Sequence, residues 1–269
     1  MRRIAQAAVA GQVGFSLDWL AAGAAEGHGY SVAEHEISDL AALTAHAAPV
    51  PLVAQAVCGI ATAMFGLVAL PQLLHGTRGA TLACVLIAAS ALGAGNVPDA
   101  LFRLDYRAAD GSSQPESTAS WHGQIHGTVG LLTILVLAVA PFVVARVLRR
   151  NVAWADLARP SLAFGVVLLL SLVVGVGLTD RPGAGLAQRM LALAAATWVA
   201  LLALRAARLA VASGRRAEPL QIQTNPPQSP WVPLSAHAAW QMRLRHQCHQ
   251  LSEPNGTHAA KSSNVVTRW

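Results

Sequence analysis

The sequence predicts an all-α membrane protein, a polytopic bundle of about six transmembrane helices with both ends in the cytoplasm. Three observations predict it. The chain of 269 residues is 54% hydrophobic and only 12% charged, against roughly 25% charged in a soluble domain. Its apolar residues fall in blocks near bilayer length, and a bilayer core needs about 20 such residues in helical form. Finally, Arg residues cluster in alternate loops, as the positive-inside rule requires of a chain with a fixed orientation.

The strongest spans cover 50–74, 127–148, 162–178 and 190–211. The block at 80–97 is shorter but uncharged and fits as a further span. The weakest candidate, at 7–25, contains Gln12 and Asp18. Arg2 and Arg3 ahead of it suggest a signal peptide, but signal cores hold about 7–15 apolar residues and seldom a carboxylate. A retained first span is therefore expected. Numbered from the N-terminus, the spans place Arg2, Arg3, Arg78, Arg146, Arg149, Arg150, Arg159, Arg205, Arg208, Arg215 and Arg216 on one side. The opposite loops hold Arg103, Arg107 and Arg181. The Arg-rich side is expected to be cytoplasmic. Two cytoplasmic ends require an even number of spans, which supports counting the first one. The expected location is the plasma membrane.

The isoelectric point near 10.2 reflects these Arg residues, 18 of the 19 basic side chains. No basic patch on a soluble fold accompanies them, so nucleic acid is not an expected partner. Cys58, Cys84 and Cys248 form no close pair, which argues against a disulfide framework or a thiolate metal site. Trp19, Trp121 and Trp154 fall near expected boundaries or loops and read as interfacial anchors. Pro141 is expected to kink its span, and Gly93 and Gly95 to permit close helix approach. Residues 212–269 are rich in Pro, Ser, Gln and Asn, and are expected to be a disordered cytoplasmic tail.

The candidate chemistry gathers in the outer loops. Ser31 with Glu34 has the spacing of a capping box, which predicts a helix start. That helix would place His35, Ser38 and Asp39 on one face. Ile37, Leu40 and Leu43 would form an apolar side lying in the membrane interface. The second loop holds Asp99, Asp105 and a Ser-rich stretch around 111–115, and ends in His122 and His126. Four residues apart on a helix, these two imidazoles suit two ligands of a tetrahedral zinc, with His35 or Asp99 as the third. A hydrogen-bonded polar cluster tying the loops together is the plainer alternative. The zinc-protease pattern needs Glu after the first His, and Gly123 stands there. Asp18 is an ionisable group within a span and so a candidate in its own right. Gln188 and Arg189 open the last span at the same level, and Arg189 is expected to pair with Asp18, Asp39 or Asp99.

Several short motifs then point to one family. Gly29-Tyr30-Ser31, Ile37-Ser38-Asp39-Leu40, Asp99 after span three, His122-Gly123-x-x-His126 and Gly185-Leu186-x-Gln188-Arg189 occur in that order. Together they resemble the domain-of-unknown-function family numbered 998, a group of bacterial and archaeal multi-span membrane proteins, over roughly residues 7–211. The resemblance implies a polytopic helical fold and no established activity. The Ser-rich insertion around 108–120 and the long tail depart from the family pattern.

Three function classes follow. The first is a non-enzymatic accessory, sensor or lipid-binding protein, whose partner is a lipid or another membrane protein. The alternative is a metal-dependent hydrolase of a lipid-like substrate, in which a metal at His122 and His126 would activate water. A transporter is the third. It is disfavoured because neither an inverted repeat nor a pair of broken spans is evident.

Overall fold

The computed structural model describes residues 1–27, 29–110, 120–178 and 181–217. These form six long helices, with no strand among the described residues. They are α1 (Arg2–Ala25), α2 (Pro49–Leu73), α3 (Ala80–Leu101), α4 (Trp121–Leu148), α5 (Ala158–Gly177) and α6 (Ala184–Ala217). The helices from α2 to α6 are long and apolar enough to cross a membrane. The α1 helix is not among them, because its arginines, glutamines and Asp18 lower its hydropathy. Its 24 residues, at about 1.5 Å each, nevertheless match the thickness of a hydrocarbon core.

The helices close into a ring in chain order. Each packs on the next, and α6 returns to α1. Small residues make the tight contacts, as expected where lipid removes the hydrophobic drive between helices. Ala5, Ala8 and Gly11 of α1 are buried, and a Cβ on Gly11 would lie 3.1 Å from the Cα of Cys58. We call the end where α1 finishes and α2 begins the upper end. At the lower end the ring is filled by Phe65, Leu70, Leu74, Leu148 and Trp154, all almost fully buried. Trp154 and Trp19 are thus core residues and not interfacial anchors. Trp121 alone of the three is exposed.

The α3 helix is broken. Ser90 is extended (φ −67°, ψ 168°) and Gly93 is non-helical (φ −102°, ψ −123°). The freed groups are satisfied locally: the amides of Gly93 and Gly95 donate to the Ser90 carbonyl, and the Ser90 hydroxyl donates to Ile87 at 2.8 Å. A Cβ on Gly93 would fall 2.3 Å from the Ala88 carbonyl oxygen, so only glycine fits the break. Gly95 gives the expected close approach, against Thr133 of α4.

The upper half of the ring is looser. Between Gly123 and Leu137, α4 has no buried residue, and neither does α5 beyond Leu168. The 26–48 segment roofs this end. It forms no helix at Ser31. Instead the Ser31 amide donates to Nδ1 of His35 at 2.8 Å, which replaces the expected capping box and closes a single turn. A short 3-10 helix, Ser38–Ala41, follows. Ile37 and Leu40 are buried within the bundle, and only Leu43 is exposed, so the roof plugs the ring and does not lie flat in an interface plane. The expected Ser-rich stretch at 111–115 lies outside the described residues. The α6 helix runs to Ala217, several residues past the expected start of the tail, and the tail from 218 also lies outside the described residues.

Candidate functional site

Beneath the roof lies a cavity of about 330 Å³, within the range of small-molecule sites, roughly 300–1,000 Å³. Its wall comes from α1, α2, α3, α4 and α6 together with the roof. The polar lining sits near the upper end: Glu36 and Ser38 from the roof, Gln55, Asn96 and Asp99 from α2 and α3, and His126 with Gln188 from α4 and α6. Towards the membrane centre the lining becomes apolar, with Phe15, Leu92, Ile134 and Leu137. The break in α3 produces this layout. It turns the chain between Leu92 and Asn96, so that one helix contributes both apolar and polar walls.

Two of the polar residues are unusual. Gln55 and Asn96 are each only 6% exposed, yet Gln55 Oε1 and Asn96 Nδ2 have no hydrogen-bond partner, and neither has Asp99 Oδ1. A buried polar group without a partner costs about 1–3 kcal/mol. Three around one cavity therefore mark a place where a ligand or water completes the bonding. His126 Nδ1 lies 2.9 Å from the Phe102 carbonyl and 3.7 Å from Asp99 Oδ1. A carbonyl can only accept, so Nδ1 carries the proton and Nε2 is the acceptor nitrogen of the neutral ring.

The roof is held to α6 by a second set of groups. The Gln188 side chain accepts from the Ile37 amide and donates to Glu36 Oε2 at 3.1 Å. Arg189, 3% exposed, donates to the carbonyls of His35 (2.7 Å) and Gly185 (2.9 Å) and to the Tyr30 hydroxyl. Its guanidinium also sits over Trp19, 5.6 Å from the ring centre. A Cβ on Gly185 would lie 2.2 Å from the His35 carbonyl oxygen. The expected ion pair of Arg189 with Asp18, Asp39 or Asp99 does not form. Backbone carbonyls and a phenol reach the guanidinium instead, and the carboxylates lie elsewhere. Asp18 is buried with both oxygens unpartnered, beside an apolar groove between α1 and α2.

The described residues contain no group of three or more His, Cys, Asp or Glu placed to hold a metal ion. His35 is engaged by Ser31, and His126 by Phe102. His122 stacks on Trp121, with ring centres 3.6 Å apart, and does not line the cavity. The expected zinc ligands thus do not converge: Asp99 lies beside His126, but His122 packs on Trp121 and His35 is held in the roof turn. A family model described as a protein of unknown function, DUF998, matches residues 8–205. The chain belongs to the DUF998 family. No curated protein and no solved structure matches it.

The motifs first noted in the sequence thus distribute over this DUF998 bundle in two groups. Ser38, Asp99, His126 and Gln188 line the cavity. His35, Asp39 and Ser38 line an adjoining polar cleft of about 470 Å³, which shares Glu36 and Ser38 with the cavity and is also lined by Arg181. Sequence reasoning missed Gln55, Asn96 and Glu36. A signal existed for the first two, since amides inside apolar blocks are as conspicuous as Asp18. Asp39, 4% exposed, has its carboxyl pushed up to about 6 by burial, with Glu36 and Asp110 adding to the shift.

That shift gives a pH dependence. A carboxyl whose folded pKa exceeds its unfolded value favours the fold at low pH, and this contribution is lost as pH rises through the folded pKa. Asp39→Asn should therefore raise stability near neutral pH by about 3 kcal/mol. It should also flatten the loss of stability from about pH 4 to about pH 6. Thermal melting in detergent at both ends of that window checks this. Identical melting of variant and wild type at neutral pH would sink it.

Proposed function

We propose that this DUF998 protein is a six-span protein of the plasma membrane, with both termini cytoplasmic, that binds a small amphiphile at its outer face and catalyses no reaction. The observation that carries the reading is the pair Gln55 and Asn96, buried to nine-tenths and each with an unpartnered polar atom on the cavity wall. A ligand with a polar head satisfies those atoms, and the apolar lower wall suits its chain. The Arg distribution supports the orientation, and the packing of α1 between α2 and α6 supports counting it as a span. Transport is disfavoured by the lower end, where Phe65, Leu70, Leu74, Leu148 and Trp154 close the ring.

One labelling experiment tests site and orientation together. A Ser38→Cys variant without other cysteines should react in intact cells with a membrane-impermeant thiol reagent. Lipid extract from the same cells should slow that reaction, and by at least about tenfold less when Asn96→Ala is added, since a lost polar contact is worth about 1.5 kcal/mol. Labelling only in inverted vesicles would reverse the orientation. Labelling that extract never slows would end the binding reading.

A further inference from the structure

The charge around the cavity is one-sided. Its titratable lining groups are Glu36, Asp99 and His126, and neither Lys nor Arg lines it. Arg181 lines the adjoining cleft and not this cavity, and three other guanidinium groups of this end are engaged elsewhere. Arg103 donates to the Ala41 and Ala42 carbonyls, Arg107 to Glu26 and Asp110, and Arg189 to His35, Gly185 and Tyr30. Of the three unpartnered atoms, Asp99 Oδ1 and Gln55 Oε1 accept, and only Asn96 Nδ2 donates. His126 Nε2 adds a further acceptor in the neutral ring. An occupant must therefore supply several donors and positive charge, with one acceptor for Asn96. A carboxylate or phosphate head would meet Glu36 and Asp99, with neither Lys nor Arg in the lining.

The cavity also opens sideways. Leu131 of α4 lines it while 59% exposed, so the cavity meets the lateral surface of the bundle at that residue. Gly130 beside it and Gly127, one turn above, line it too, and a Cβ on either would meet open space. Across the opening stand Leu191 and Ala192 of α6. The flanking half of α5 leaves the opening unsealed, having no buried residue beyond Leu168.

Building on the binding reading above, we propose that the occupant is a single-chain cationic amphiphile: a long-chain amine with an acceptor oxygen close to its nitrogen, as in a long-chain amino alcohol. The ammonium sits among Asp99, Glu36 and Gln55, and the oxygen meets Asn96. The chain passes Gly127, Gly130 and Leu131 into the bilayer beside the upper half of α5.

The test uses the purified full-length protein in detergent. Three straight-chain probes of equal length, a primary amine, an alcohol and a fatty acid, are titrated by calorimetry. The amine should bind at least about tenfold more tightly than the alcohol, and the acid more weakly than either. Asp99→Asn should remove most of the preference for the amine. Glu36→Gln, whose side chain is partly exposed, should reduce it as well and serves if Asp99→Asn fails to fold. Gly130→Phe, which fills the opening, should abolish binding of the amine while leaving helical content and melting unchanged. Equal binding of all three probes, or a preference for the acid, overturns the cationic assignment and leaves the binding reading standing. Unchanged binding to Gly130→Phe overturns the lateral route. Failure of every probe to bind the folded wild type overturns the binding reading, and this inference with it.

Discussion

Arg107→Leu should destabilise the protein by about 3–5 kcal/mol, the usual cost of removing one partner from a buried ion pair. Arg107 is 8% exposed, and its guanidinium reaches Glu26 Oε1 at 2.5 Å and Asp110 Oδ1 at 2.5 Å. Glu26 closes α1, and its side chain has no exposed surface. Burial pushes its carboxyl up, but the amides of His46 and Ala47 and the Arg107 guanidinium outweigh that effect and hold it below the ordinary value. Those groups come from three separate parts of the chain, so one ion pair gathers the end of α1, the start of α2 and the second loop. Without Arg107 the Glu26 carboxylate would keep the His46 and Ala47 amides and the mostly exposed His46 imidazole, 3.4 Å away. Combining Arg107→Leu with Glu26→Gln should recover most of the loss, because the uncompensated charge is then gone. Unfolding by denaturant in mixed micelles measures both. A single variant as stable as wild type, or a double variant worse than the single, would contradict the account.

Arg189→Leu should cost about 3 kcal/mol and detach the roof from α6. Hydrogen bonds from a charged donor contribute about 1.5–3 kcal/mol each, and Arg189 makes three, to His35, Gly185 and Tyr30. Its removal takes the guanidinium from the His35 and Gly185 carbonyls and leaves the Tyr30 hydroxyl only the Glu36 carbonyl, at 3.3 Å. Because His35 leads directly into Glu36, Ile37 and Ser38, the cavity loses its upper wall in the same step. Amide exchange over residues 29–41 should accelerate, and amphiphile affinity should fall by at least about tenfold. Arg189→Lys should rescue only part of either effect. One ammonium cannot reproduce the planar fork that reaches two carbonyls and a hydroxyl at once. Protection of the roof unchanged in Arg189→Leu would show that Gln188 and the backbone contacts of Ala33 and Glu34 hold it alone.

Much of the architecture was legible without coordinates. Each expected apolar block from 50 onward falls on one of the helices α2 to α6, since lipid demands long apolar helices. The motif order identified the family whose model matches residues 8–205. The loops were harder. Ser31 and Glu34 have capping-box spacing, but His35 competes for the Ser31 amide and wins. Arg189 was expected to find a carboxylate, and instead backbone carbonyls turn out to lie nearer. Spacing records which side chains share a helix face only where a helix forms, and the roof is mostly turns. His122 and His126 do share a helix, yet four residues of rise leave one at the rim among rings and the other on the cavity wall.

The sequence by itself determined an all-α membrane protein, its long apolar helices and its family. These follow from composition, period and short motifs, which act locally and so can be read locally. Tertiary structure alone decided that α3 breaks at Ser90 and Gly93, that Gln55 and Asn96 meet Asp99 around one cavity, and that His35 stands apart from His126. Such facts depend on which helices neighbour each other in the ring. Neighbourhood is set by close packing of small residues such as Gly11 and Gly95 and by the Glu26–Arg107 and Arg189 ties, contacts between residues far apart in the chain.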